Sequence, residues 1–352
     1  NLALDSSVRR TVAARDAAAV LRVIAQAKQK LGVEDDAQVF SCYEAGRDGF
    51  WLHRFLVANG VHNVVVDSAS IEVNRRRKRA KSDRLDGESL MDLLQRHLAG
   101  GRKKIWSVVR VPSFEEEDAR HLQRELSTAK RDRTRVTNRI RGLLANQGLA
   151  LGKLRDLPRQ LDKLRLWDGR PLPEGLRERL ERKWTQVQQL SERIRTLEAK
   201  RRALWTAGGD RATETARRLY ALRGIGANGS WLYGMELFGW RDFRNGKQVG
   251  SFAGLTPTPH SSGESERELG IGKDGSRHIR AMAIELAWAW LRFQPKSALT
   301  RWYERRFGGG SKRLRKIGIV ALARKLLVAL WRWVDHGVLP EGAELKTDLR
   351  VH

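Results

Sequence analysis

QVFSCYEAGRDGFWLHRFLVANGVHNVVV, residues 38–66, decides the fold of the first third of the chain. Gln38 to Tyr43 reads as a short strand ending at Glu44, Gly49 to Asn59 as a helix, and Val61 to Val66 as a buried β-branched strand. Strand, helix and strand at this spacing argue an α/β unit with a largely parallel sheet. Upstream, Ala17 to Leu31 has the pattern of an amphipathic helix. Leu2 to Leu4 and Thr11 to Ala13 read as two short strands around the polar turn Asp5-Ser6-Ser7. Downstream, a basic stretch leads into a helix over Asp83 to Leu98, and a strand over Ile105 to Val111 stops at Pro112.

From Glu115 the pattern changes to long charged helices. Leu122, Leu126, Ala129, Val136, Ile140 and Leu143 keep a 3-4 spacing, with Arg133 in one seam position. After the break at Pro158, Gly169, Pro171 and Pro173, a second seam runs Leu176, Leu180, Val187, Leu190, Ile194, Leu197 and Leu204, with Lys183 and Arg201 in polar slots. Seams of about four heptads predict a helical hairpin or an intermolecular coiled coil, weighed against two amphipathic helices packed inside one monomer. From about Gly208 a helix-rich third unit carries most of the tryptophans and is interrupted by glycine between Gly250 and Gly275.

The chain has 352 residues, too many for one ordinary core. Lys plus Arg number 68 against 41 Asp plus Glu, a net charge of +27, and the partner expected of such a surface is a polyanion. No apolar run approaches the roughly 20 residues of a membrane span, and no basic amphipathic anchor is visible. The single cysteine, Cys42, rules out an internal disulfide and a cysteine-rich zinc site, in keeping with a reducing cytoplasm. The eight histidines lack ligand spacing. No signal peptide is legible at the start. The first residue is Asn1, inside an apolar alternation, which suggests residues upstream of it.

Four constellations bear chemistry. Asp83 and Asp86 lie three residues apart, on one face of a helix. They follow a basic run of Arg75, Arg76, Arg77, Lys78, Arg79 and Lys81, which suits a phosphate backbone. Glu44 ends a strand before Gly46 and Gly49, at the carboxyl edge where α/β sheets collect their sites. Together Glu44, Asp83 and Asp86 offer hard oxygen ligands for Mg²⁺. The competing reading makes Asp83 an N-cap and Asp86 its partner in the first turn. Leu222-Arg223-Gly224-Ile225-Gly226 resembles a helix-hairpin-helix turn, with Gly224 and Gly226 presenting backbone N–H groups to phosphate; a plain glycine turn is the alternative. Gly254-Leu255-Thr256-Pro257 leads to His260-Ser261-Ser262-Gly263, a serine loop facing Lys273, Arg277 and Arg280, cations suited to a phosphodiester. An ordinary serine-glycine turn is the alternative there. Trp288, Trp290, Trp302, Trp331 and Trp333 read mainly as core, with base stacking as the second reading.

Taken together, Tyr43-Glu44-Ala45-Gly46, Lys81-Ser82-Asp83-Arg84-Leu85-Asp86, Gly224-Ile225-Gly226 and Gly254-Leu255-Thr256-Pro257 with Ser262-Gly263 resemble the bacterial insertion-sequence transposases with a DEDD motif, the RNA-guided serine recombinases. The resemblance covers nearly the whole chain in the expected order. It implies an α/β, RNase H-like, Holliday-junction-resolvase-like domain over residues 1–112; Leu2 to Leu4 and Thr11 to Ala13 read as the second and third strands of that sheet, so this chain departs from the pattern and its first strand is expected to be missing here. It further implies a helical coiled-coil region over 113–208 and a mainly α C-terminal transposase domain over 209–352. Glu44, Asp83 and Asp86 become three of four Mg²⁺-binding acids, and Ser262, with Ser261 as the alternative, the nucleophile that links to DNA. The fourth acid is expected upstream of Asn1, with Asp5 as a turn residue. The partners implied are donor and target DNA, a structured guide RNA, and further copies of the chain in a dimer or tetramer built through coiled coils. A bacterial cytoplasmic, nucleoid-associated protein follows, with no membrane partner. Two rivals share parts of this picture: a metal-dependent, junction-type nuclease that needs the acids and no serine, and a non-catalytic nucleic-acid scaffold.

Overall fold

The computed structural model describes residues 9–46, 49–67, 70–71, 83–100, 105–262, 265–273 and 275–349, with the backbone alone described for 83–86, 258–262 and 265–269. The chain divides into two compact units, Asn1–Val111 and Pro112–His352.

In the first unit, helix α1 (Ala17–Leu31) starts where the Asp16 carboxylate accepts from the Ala19 N–H at 2.8 Å. It ends at Gly32 in the left-handed region. Strand β1 (Val39–Glu44), helix α2 (Trp51–Ala58) and strand β2 (Val61–Val66) form a β-α-β unit whose strands pair in parallel, Val39 opposite Val61 and Glu44 opposite Val66. Helix α3 (Asp83–Leu98) covers the pair. Leu93 and Leu94 pack with Val66 and Trp106 in a buried cluster that Cys42, Val64 and Leu90 border. Strand β2, helix α3 and helix α1 keep the bounds their apolar periodicity predicts.

Two expected strands are absent. Thr11 to Ala13 forms no strand, because the Ala13 carbonyl accepts from Asp16 N–H in the turn that enters α1 and Arg15 takes φ 71°. Ile105 to Val111 makes only an isolated antiparallel bridge, Val66 to Val108, with Val109 N–H donating to Val65 O at 2.7 Å. The Ser107 N–H donates to Ser70 Oγ at 2.7 Å, so a side chain takes the place of a ladder partner. Leu2 to Leu4 and Asp5 lie outside the described residues.

The second unit opens with two long helices, α4 (Phe114–Ala145) and α6 (Glu174–Ala207), joined through the short α5 (Leu157–Gln160). Ser113 begins α4 with a reciprocal capping box to Glu116. The two helices run antiparallel: Leu126 and Ala129 pack on Ile194 and Leu197, while Ile140 and Leu144 pack on Leu176, Leu180 and Val187. Lys130 pairs with Glu198 at 2.6 Å along the same seam. The hydrophobic stripes are thus covered within one chain, the arrangement of two amphipathic helices packed as a hairpin inside one monomer; a coiled coil between chains has only the outer faces left to use.

The rest of the unit is helical. Helices α7 (Arg211–Tyr220), α8 (Ala227–Tyr233), α9 (Gly246–Phe252), α10 (Arg277–Phe293), α11 (Ala298–Tyr303) and α12 (Lys312–His336) surround a core of Leu222, Ile225, Tyr233, Phe238, Trp290 and Leu326, among others. A two-stranded antiparallel ribbon, β3 (Pro257–Ser262) and β4 (Ser265–Ile271), separates α9 from α10. Trp290 and Trp331 are buried, with indole N–H groups donating to Ser297 Oγ and Asp335 Oδ2. Trp302 and Trp333 pack at the margin of the core, whereas Trp288 is exposed. No helix among the described residues is long and apolar enough to cross a membrane.

Candidate active-site elements

Parallel pairing brings the carboxyl ends of β1 and β2 to one edge. Glu44 stands there, exposed, and the next N–H, of Ala45, donates to Val66 O at 2.7 Å. The Tyr43 hydroxyl donates to Gly49 O at 3.2 Å, with Gly49 at φ 70°. The direction of α3 follows from its contacts. Its last turn, Leu94, His97 and Leu98, lines a cavity of about 510 Å³ together with Phe40, Ser41 and Val61, at the amino ends of the strands. One turn earlier, the Leu90 carbonyl faces Cys42 Sγ at 3.8 Å, further along β1. Helix α3 therefore runs counter to β1, and its first turn, with Asp83 and Asp86, is directed toward the carboxyl edge that holds Glu44. Asp83 is the first residue of α3.

Asp67 shares this edge. It directly follows β2, is half-buried, and its backbone is fixed by N–H donation to Ser107 O at 2.9 Å and by the Ser70 hydroxyl at 2.7 Å on its carbonyl. The rule that singled out Glu44, an acid at a strand's carboxyl end, applies equally to Asp67 and was the signal available for it. Among the described residues no three metal-ligating side chains form a cluster. Arg75, Arg76, Arg77, Lys78, Arg79 and Lys81 lie outside the described residues. Burial pushes the Cys42 thiol up to about 11, which leaves it an inert packing group.

The serine element differs from the expected loop. Ser262 is the last residue of β3, opposite Ser265, with Ser261 opposite Glu266 and His260 opposite Arg267. Residues 265–268 are all polar and only Leu269 and Ile271 alternate with Gly270, so the second strand carries almost no period-two signal in the sequence. Pro257 and Pro259 are tolerated because each strand of a two-stranded ribbon is an edge strand.

The base of the ribbon is tightly fastened. Gly254 at φ 62° and Lys273 at φ 63° turn the chain in and out of it. The N–H groups of Gly272, Lys273 and Ser276 donate to the carbonyls of Thr256, Gly254 and Phe252 at 2.9, 3.3 and 2.8 Å. Arg280 Nη1 donates to the carbonyls of Lys273, Ala253 and Gly275 at 3.1, 3.2 and 3.4 Å. A phosphate contact by Arg280 would compete with this clamp. Lys273 and Arg277 are exposed beside it.

The Gly224–Gly226 turn joins α7 to α8. Leu222 and Ile225 are buried beneath it, Gly224 takes φ 84°, and Gly226 is exposed at the N-cap of α8. The C-terminal segment binds its flank: Arg223 pairs with Glu344, and Gln294 donates to the carbonyls of Arg223 and Glu344 at 2.9 and 2.8 Å. Lys346 Nζ donates to Ile225 O at 2.7 Å and lies 3.3 Å from the centre of the Tyr220 ring.

Residues 216–303, which take in α8, the ribbon and α10, match the model of the IS116/IS110/IS902 transposase family. The chain is 40% identical to a Sinorhizobium fredii protein carrying the name transposase y4rJ, over 96% of this chain and 88% of that one. It is 30% identical to a family 20 transposase of Pseudomonas aeruginosa, over 63% of this chain and 65% of the relative. The transposase for insertion sequence element IS1111A of Coxiella burnetii is 27% identical over 61% and 56%.

Proposed function

Because the chain belongs to the IS116/IS110/IS902 transposase family, we propose that it cuts and rejoins DNA through attack by the Ser262 hydroxyl, assisted by Mg²⁺ held at Glu44, Asp83 and Asp86. The observation that carries the reading is the attachment of Ser262 to the end of a ribbon whose base is clamped by Arg280, inside the stretch that matches the family. A nucleophile on a fixed arm loses little orientational entropy when substrate arrives.

Carboxylate oxygens are the donor type that magnesium takes, so Glu44 and the two acids at the start of α3 fit the ion. When bound, Mg²⁺ supplies charge neutralisation at a phosphoryl oxygen. The protein does the rest. The Ser262 Oγ–H gives up its proton, and an Oγ–P bond forms as the bond from phosphorus to a deoxyribose oxygen breaks. That oxygen takes up a proton as it leaves. Attack by another DNA end on the phosphoserine reverses these events and frees the serine. One phosphodiester replaces another, so rejoining requires no ATP.

In this reading the first unit is an RNase H-like catalytic domain and the long hairpin a coiled-coil region that joins copies of the chain into a dimer or tetramer. Donor DNA, target DNA and a structured guide RNA share the positive surface, for which the +27 charge is the support.

Ser262→Ala tests the proposal. Denaturing electrophoresis of reactions with labelled DNA should show a covalent protein–DNA product for the wild type and none for this variant, with DNA binding kept. An adduct that persists in Ser262→Ala and vanishes in Ser261→Ala moves the role to Ser261. Nicking without any adduct in the wild type makes the protein a nuclease.

A further inference from the structure

Trp167 is 89% exposed at the far end of the α4–α6 hairpin. A large indole held in water needs a reason, and here the backbone that presents it is fixed. Leu166 to Gly169 is a tight turn: Gly169 N–H donates to Leu166 O at 2.9 Å, Leu166 N–H donates to Arg170 O at 2.8 Å, and Gly169 takes φ 80°. A bridge between Arg165 and Pro171 closes it. The Asp168 carboxylate accepts from Arg170 Nε at 2.6 Å, and this ion pair holds Asp168 below the usual carboxylate range. Leu157, Leu161 and Leu172 lie buried in the hairpin's terminal cluster with Ile140 and Leu180, and Leu166 packs at its margin.

The charge around the turn identifies the partner. On the segment between α4 and α6, Asp156, Asp162 and Asp168 are matched by Arg155, Arg177 and Arg170. Lys153, Arg159, Lys163 and Arg165 remain as surplus positive charge, all exposed, with Arg165 Nη1 donating to the backbone carbonyls of Asp162 and Leu164. The leucines nearby are turned inward, so the indole does not belong to a wider apolar patch of the kind that joins two proteins. A single exposed aromatic face on a fixed turn, in a segment rich in cations, suits a nucleobase stacked on the ring with its phosphates on the lysines and arginines.

We propose that the hairpin tip is a binding site for single-stranded nucleic acid, in which Trp167 stacks on an unpaired base and Lys153, Arg159 and Lys163 hold the adjoining backbone. This contact is separate from the Ser262 chemistry and survives in Ser262→Ala.

Fluorescence anisotropy of the full-length protein tests it, with labelled oligo(dA) of roughly 20 nucleotides and a duplex of equal length as probes. Trp167→Ala should weaken single-strand binding about 10-fold or more, with the salt dependence unchanged, and should leave duplex binding within about twofold. Trp167→Phe should recover most of the loss. Arg159→Gln with Lys163→Gln should instead flatten the salt dependence for the oligonucleotide. The exposed position predicts unaltered circular dichroism and melting for each. Wild-type affinity in Trp167→Ala, or an equal loss on duplex and single strand, overturns the proposal. A fall in self-association by sedimentation, with oligonucleotide affinity intact, overturns it in favour of contact between copies of the chain.

Discussion

Arg280 Nη1 donates to the carbonyl oxygen of Lys273 at 3.1 Å, and the same nitrogen reaches Ala253 and Gly275 across the two chain segments that enter and leave the β3–β4 ribbon. One side chain thus fixes the arm that bears Ser262. A lysine in its place offers a compact ammonium without the planar fork. Arg280→Lys should therefore lower covalent adduct formation by about 100-fold, the order expected for a misplacement near 1 Å, with DNA affinity changed little. Hydrogen exchange at Gly272, Lys273 and Ser276 should quicken in the same variant, a readout independent of the chemistry.

Gly275 lies under the same clamp. A Cβ there would overlap the Phe252 carbonyl oxygen, and one at Gly254 would come within 2.6 Å of Arg280 Nη1. The obstacle at Gly275 is backbone, which cannot swing aside. Gly275→Ala should cost about 2–3 kcal/mol, measured by urea denaturation. Gly250→Ala is the control: its nearest neighbour is the flexible Arg324 side chain at 3.3 Å, and the cost there should be smaller.

How much of this was legible beforehand depends on where the signal lives. β2, α1 and α3 announce themselves through apolar periodicity, and Glu44 through its place at a strand end. The partner of the hairpin seam does not, because Leu126 or Ile140 has the same pattern whether its neighbour is Ile194 of the same chain or another copy. Asp67 is hard to read because a lone acid after a strand looks like an ordinary turn residue, whereas Asp83 and Asp86 stand as a pair beside a basic run. The role of Arg280 was invisible for a different reason: a cation near phosphate-binding candidates reads as a ligand contact, and only the fold reveals three carbonyls around it. Trp167 is likewise unreadable without coordinates, since most tryptophans of a chain are core and exposure has no sequence mark.

Arg124 and Glu236 join the long hairpin to the C-terminal helices. Glu236 sits in a π-helical turn, Gly234–Phe238, with 9% of its side chain exposed, and Arg124 meets it in a fork of 2.7 and 2.9 Å. Arg124→Met removes the hydrogen-bonded partner of a largely buried carboxylate and leaves Arg120 as the nearby charge that still compensates it. It should destabilise the protein by about 2–3 kcal/mol, below the full cost of breaking a buried pair because Arg124 is itself half-exposed. Arg124→Met with Glu236→Gln should restore part of the loss, since the carboxylate that lost its hydrogen-bonded partner is gone. Equal denaturation midpoints for the single and double variants would refute the pairing as the source of the effect.

Lys346 gives the second unit a dependence on alkaline pH. Burial against the Tyr220 ring and the Ile225 carbonyl lowers its pKa from 10.5 to about 8. Between these values the unfolded chain keeps the lysine proton and the folded chain has released it. The unfolded state then binds more protons, so this group's contribution to stability rises with pH across the interval. Below about pH 8 the ammonium is charged in both states and its burial counts fully against the fold. Other groups titrate in the same range, so the wild type must be compared with Lys346→Met, which fills the space with an uncharged chain. The difference in melting temperature, wild type minus variant, should grow more positive from pH 7.5 to 10 and level off above that. A difference that stays flat, or falls with pH, would mean that Lys346 remains protonated beneath the Gly224–Gly226 turn and that its cation–ring contact outweighs its burial.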